Sequence, residues 1–249
     1  MTSISGYRVM ASPCCGARFV AARYASMNYS AQEYWTDGQC VQSLAPTDGG
    51  LRQCECGAYF LLRNAKEIIE VSAEEKQAMQ PARQVADEKL ASLLALTLTE
   101  DVELVVRRRY WRYLNDPYRE IYRAYRKSVD DAAREANKGA KTILTALSNK
   151  ITTTVPTTLP NVVTVSKIFT APSNTPSAAQ QENMQALLAL LLNSEKPDPV
   201  EISELYRELG DYDAALNAIE EFKETEHTAS MLIRLLIAEK VHEPMRYMT

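Results

Sequence analysis

Histidine is almost missing from this chain of 249 residues: only His227 and His242 are present, both near the C-terminus and far in sequence from the cysteines. No His-Glu-x-x-His helix can be drawn, and no nucleophile elbow is found. Glycine is sparse, at 8 residues, and none of it forms a loop able to cradle phosphate. Long hydrophobic runs are absent as well. The most apolar stretch, Met184 to Leu192, is about half the length that a membrane span requires, so no membrane partner is expected. Residues 1–12 lack a charged segment followed by an apolar run, so no secretory signal is expected. Neither charge sign dominates: 28 Lys and Arg stand against 32 Asp and Glu, for a net charge of −4. That balance argues against a protein that coats nucleic acid over its whole surface. A cytoplasmic location follows as the expectation, and there clustered cysteines are metal ligands more often than disulfides.

What is present is a short motif carried twice. Cys14-Cys15-Gly16-Ala17-Arg18-Phe19 returns as Cys54-Glu55-Cys56-Gly57-Ala58-Tyr59-Phe60. A cysteine pair running into glycine has the form of a zinc knuckle: glycine permits the tight turn that aims backbone amides at the sulfurs. Cys14, Cys15, Cys54 and Cys56 together supply the four sulfurs of a closed, structural zinc site. The pairs are adjacent and one apart, whereas the usual spacing is Cys-x-x-Cys-Gly; Ser12 and Gln53 stand where that spacing would put the outer cysteine. Cys40 has no partner; it is read as a packed residue, or as the substitute if Cys14 or Cys15 points away. Neighbouring thiols of lowered pKa also admit a thiol redox reading.

Composition divides the chain into four segments. Residues 1–70 form a small β-rich unit, with extended runs at Ala17–Tyr24 and Ala58–Arg63 leaving the two cysteine turns. Tyr34-Trp35-Thr36-Asp37-Gly38 is read as a turn between them, with Trp35 packed under the zinc unit. Residues 71–150 are helical, from a start signal at Ser72 to Glu75, through Pro81–Leu98 and Thr99–Leu114, to a helix running from Pro117 to about Leu147. Asn115-Asp116 stops one helix and caps the next. Residues 151–180 are a Pro/Thr-rich linker in which Val162–Phe169 is a short strand or docked segment, and residues 181–249 are helical again, with helices resuming at Ser177.

Within the last segment, Ile202, Ser203 and Tyr206 set a large, a small and an aromatic residue on one helix face. Gly210-Asp211-Tyr212-Asp213-Ala214-Ala215 then turns the chain into a second helix carrying Ile219 and Phe222. This resembles one tetratricopeptide repeat. It departs from the pattern at Pro199 and His227, and Ala229–Lys240 is the candidate first helix of a truncated second unit. Together with the doubled Cys-Gly-Ala-x-Phe and Tyr34–Gly38, the run Leu205–Tyr212 resembles a group of uncharacterised bacterial proteins that pair a zinc-ribbon-like N-terminus with a tetratricopeptide-like C-terminus. The resemblance implies a bacterial cytosolic setting and brings no activity.

From Asp101 to Lys127 eight Lys and Arg stand against four Asp and Glu, interleaved with Tyr110, Trp111, Tyr113, Tyr118, Tyr122 and Tyr125. One reading is a nucleic-acid face built on Arg107, Arg108, Arg109 and Arg112. The other is a pair of amphipathic helices, with Tyr118, Tyr122, Tyr125 and Val129 as a core stripe. The sequence as a whole predicts an α+β protein, mostly α, stapled by structural zinc. Its expected role is non-enzymatic, the binding or scaffolding of a protein partner, with the apolar tail Met245, Tyr247 and Met248 as part of the contact surface.

Overall fold

Glycine turns and short extended runs at the N-terminus become hairpins, and apolar residues at helical spacing become the helices that cover them. The computed structural model describes residues 3–26, 31–42, 49–71, 79–148, 175–220 and 228–248. The strands are β1 (Ser3–Ala11), β2 (Arg18–Ser26), β3 (Ala31–Trp35), β4 (Cys40–Gln42), β5 (Leu51–Gln53), β6 (Tyr59–Leu61), β7 (Lys66–Val71), β8 (Arg83–Gln84) and β9 (Arg246–Met248). The helices are α1 (Leu90–Leu93), α2 (Glu100–Leu114), α3 (Asp116–Ser148), α4 (Ala178–Leu192), α5 (Pro199–Glu208), α6 (Tyr212–Glu220) and α7 (Thr228–Ala238). The protein is α+β and mostly α, with small three-stranded sheets.

Two compact units divide the chain: Met1–Asn115 with Thr175–Thr249, and Asp116–Asn174. The first therefore joins residues that composition had assigned to separate segments. In the second, Asp116 and Pro117 open α3 as expected, and one helix runs to Ser148. Tyr118 and Tyr122 are buried and Tyr125 is half-buried, in keeping with the stripe reading; the side chain of Val129 lies outside the described residues.

Among the described residues of the first unit, three antiparallel sheets have the orders β2-β1-β7, β4-β3-β9 and β6-β5-β8. The segment read as helix from Pro81 to Leu98 is mostly something else. It holds β8, a turn of 3-10 helix at Asp87–Lys89 and the four-residue α1. Its apolar residues Val85, Leu90 and Leu93 pack with Leu51, Leu61, Val102, Val105 and Val106, so tertiary packing outweighs the local periodicity. Trp35 is also placed differently from the expectation. Trp35 pairs with Arg246 and Tyr34 with Met248, which puts the indole in the sheet shared with the C-terminus, fully buried. The apolar tail is taken up in the same way. Met245 is buried, its N–H donating to Thr36 Oγ1 at 2.9 Å, and the Tyr247 ring lies 5.9 Å from that of Tyr34.

The helices obey local rules closely. Ser177 caps α4 in a capping box with Gln180, and Met184, Leu187, Leu188 and Leu191 pack with Trp111, Ile202 and Leu205. Asp198 caps α5 above Pro199 at its first position. Gly210 takes φ +85°, and the Gly210 and Asp211 amides donate to Arg207 O at 3.0 Å and Tyr206 O at 2.9 Å. This is a Schellman ending, after which Asp211 Oδ1 caps α6 through the Ala214 N–H. Ser203 Oγ donates to Ala215 O at 2.7 Å, so small residues bring the two helices into contact. The helix start at Ser72–Glu75, Val162–Phe169, Phe222 and His227 lie outside the described residues.

Candidate metal centre

Each cysteine motif is the turn of a hairpin: Cys14 and Cys15 lie between β1 and β2, Cys54 and Cys56 between β5 and β6. The last ladder pairs before the turns are Ala11 with Arg18 and Gln53 with Tyr59. Both turns close through a glycine of positive φ, +73° at Gly16 and +89° at Gly57, a backbone state in which side chains are strained. The phenylalanines that follow, Phe19 and Phe60, meet with tilted rings 5.6 Å apart and pack with Met10 and Cys54. The repeated aromatic thus forms the floor that holds the two turns against each other.

The four sulfurs of Cys14, Cys15, Cys54 and Cys56 all lie within 4.8 Å of one another. The shortest separations cross between the turns: 3.3 Å from Cys15 Sγ to Cys54 Sγ and 3.5 Å from Cys56 Sγ to Cys14 Sγ. All four cysteines are free thiols. A tetrahedral zinc with bonds of about 2.3 Å has sulfur–sulfur edges of about 3.8 Å. The observed separations bracket that edge, so the donor set fits a four-thiolate ion such as zinc. Adjacent Cys14 and Cys15 both reach the cluster because their turn carries one residue more than the second. Cys40, the reserve ligand of the sequence reading, stands in β4 and outside the group.

Electrostatics favour charge on one sulfur first. Burial works against ionisation of Cys54, but the Ser12 hydroxyl, the Cys56 amide and the neighbouring thiols bring its pKa down to about 6. Cys14 is pushed up to about 12 by desolvation and by its hydrogen bond to Cys54. Metal binding replaces the protons that the four sulfurs otherwise share. Ser12, singled out in sequence only as a departure from spacing, is buried with its hydroxyl among the sulfurs.

The arginines of the basic stretch are drawn into the protein itself. Arg107 Nε donates to Glu103 at 2.7 Å, and Arg108 forks onto Glu201, with Nη2 at 2.7 Å from Oε2. Arg109 pairs with Asp87 and donates to Val85 O at 3.0 Å, while Arg112 donates to Asp37 O at 3.1 Å. Trp111 is buried, its indole N–H donating to Glu208 Oε2 at 2.7 Å, so it is not a free stacking platform. Around that bond lies a second polar cluster that sequence reasoning missed. Asn115 Nδ2 bridges Asp37 Oδ2 at 3.1 Å and Glu208, and buried Arg207 pairs with Glu204 while donating to the carbonyls of Val241 and Glu243. Nothing local in the sequence marks Glu208 and Arg207 as buried, because Trp111, Asn115 and the Val241 and Glu243 carbonyls that partner them come from distant segments.

No helix among the described residues is long and apolar enough to cross a membrane. Compared with protein-family models, with curated proteins and with solved structures, the chain matches none.

Proposed function

We propose that the chain is a non-enzymatic interaction or scaffolding protein of the cytoplasm whose N-terminal hairpins form a zinc-ribbon-like unit. The observation that carries this reading is the closure of the four sulfurs to within 4.8 Å. Four thiolates complete a tetrahedral zinc and leave no position for water, so the ion's work is to hold the fold. The need is plain in the lengths: β5 and β6 have three residues each, too few to hold a hairpin by themselves. Zinc binding in small metal-stapled units contributes about 10–16 kcal/mol at neutral pH, far more than such a hairpin supplies alone. Uncrosslinked sulfurs fit a reducing compartment.

The interaction half of the proposal rests on the C-terminal helices. The turn at Gly210 and the contact of Ser203 with Ala215 support the reading of a tetratricopeptide-like hairpin. Beside it a groove of about 480 Å³ is lined by Leu192, Pro197, Ile202, Tyr206 and Ala218, a surface suited to a protein segment. The first test is elemental analysis of purified wild type and Cys56→Ser. One zinc per chain in the wild type, lost together with N-terminal folding in the variant, is the expected result. A folded wild type without metal, its thiols open to alkylation, would overturn the reading.

A further inference from the structure

The two cysteine turns share one backbone scheme, and that scheme aligns Ser12 with Cys54. In the first turn the Ser12 N–H donates to Ala17 O at 2.9 Å, and Ser12 O accepts from the Gly16 N–H at 3.0 Å. In the second, the Cys54 N–H donates to Ala58 O at 2.8 Å, and Cys54 O accepts from the Gly57 N–H at 3.0 Å. Ser12 therefore occupies, in its turn, the place that a sulfur ligand occupies in the other.

Its side chain has also gone where a ligand would go. Ser12 is 4% exposed, with Oγ 3.3 Å from Cys54 Sγ and 3.5 Å from Cys15 Sγ. A buried hydroxyl facing neutral thiols is poorly served, since the thiol is a weak donor and weak acceptor. Facing a thiolate it makes a charge-assisted bond of roughly twice the strength. A serine oxygen is a poor substitute for sulfur on a soft site. The first turn draws its second ligand from Cys14 instead, which its extra residue allows.

We propose that Ser12 is a fifth, non-ligating member of the metal site, a positioning residue whose hydroxyl donates to a metal-bound sulfur and holds the four ligands at their spacing. The inference rests on the four-sulfur reading above. The Cys54 sulfur and the Ser12 hydroxyl are 3.3 Å apart. A metal-bound sulfur would carry no proton and could only accept, so the Ser12 hydroxyl would donate to it. With one proton it serves one sulfur at a time, and Cys54, buried and nearer, is the favoured acceptor.

The test is a zinc titration of the full chain against a competing chromophoric chelator, for wild type, Ser12→Thr and Ser12→Val. The two replacements share a shape and differ in the hydroxyl alone. Loss of a partner that orients metal ligands typically weakens metal affinity by about 10–100-fold. That is the expected deficit of Ser12→Val relative to Ser12→Thr, with one zinc per chain retained. Equal affinities in the pair at the wild-type level would overturn the proposal; if the added methyl abolishes binding in both, Ser12→Ala, which removes the hydroxyl and adds no bulk, decides, and wild-type affinity in that variant overturns it. A wild type that binds no zinc would instead remove the four-sulfur reading itself, an outcome the wild-type titration reports without the variants.

Discussion

Glu208 is expected to make stability fall as pH rises, and replacing it by glutamine is expected to abolish that dependence. The carboxyl is 3% exposed, and it accepts from Trp111 Nε1 at 2.7 Å and from Asn115 Nδ2 at 3.2 Å. Burial first, then the neighbouring Glu204 and Asp37, push its pKa well above the usual carboxylate range; Arg207 and the Trp111 bond pull the other way without cancelling them. The folded state thus binds this proton more tightly than the unfolded chain, where a glutamate titrates near about 4.3. The stability it contributes is complete below that value and is lost as pH rises through the folded pKa. Within that window each pH unit removes about 1.4 kcal/mol. Glutamine cannot ionise, so the variant lacks this dependence. Urea unfolding of wild type and Glu208→Gln, at steps of about one unit from about pH 5 to pH 8, gives the difference in which all other titrating groups cancel. The wild type should lose ground to the variant at about 1.4 kcal/mol per unit until Glu208 ionises, and the gap should then stay level. A gap that is constant over the whole range would refute the reasoning, since Glu208 would then titrate as it does in the unfolded chain.

Two further substitutions separate structural roles that sequence alone left open. Arg108→Ala leaves the 11%-exposed Glu201 carboxylate without its fork and should cost about 1–3 kcal/mol. Arg107→Ala breaks an i,i+4 pair with the more exposed Glu103 and should cost less, about 0.5 kcal/mol. Equal, negligible effects in denaturant unfolding would return α2 to the solvated phosphate-binding face of the alternative reading. Gly57→Ala meets no atom within 4 Å, so its cost, about 1 kcal/mol, comes from the backbone at φ +89° alone. An unchanged unfolding midpoint in that variant would count against the strained turn.

The parts of the fold legible in the sequence are those decided within a few residues. Gly16 and Gly57 mark their turns because a positive φ suits a residue without a side chain. Ser177 starts α4 because its hydroxyl and Gln180 satisfy each other's backbone donors. Gly210 and Asp211 end one helix and cap the next within a single turn. The pairing of the two cysteine motifs was legible too, since a doubled Cys-Gly-Ala-x-Phe offers four sulfurs that one metal ion could gather.

Local periodicity misleads where distant partners decide. Pro81–Leu98 has helical spacing, yet β8 forms because β5 offers it a strand edge at Arg52 and Gln53. Met245 and Tyr247 look like an exposed apolar tail until β3 supplies the pairing that takes them in. Arg108 looks like a free cation until Glu201, from a helix far along the chain, reaches it. Ser12 is the sharpest case: in sequence it is a ligand lost from a familiar spacing, and only the apposition of two hairpins sets its hydroxyl among the sulfurs. The chain by itself determined its turns, its caps and which cysteines could hold a metal, because these depend on backbone sterics and on donors a few bonds away. The tertiary structure alone decided which strands share a sheet, which charges are buried and what surrounds the metal site, because those depend on long-range contacts that no local pattern records.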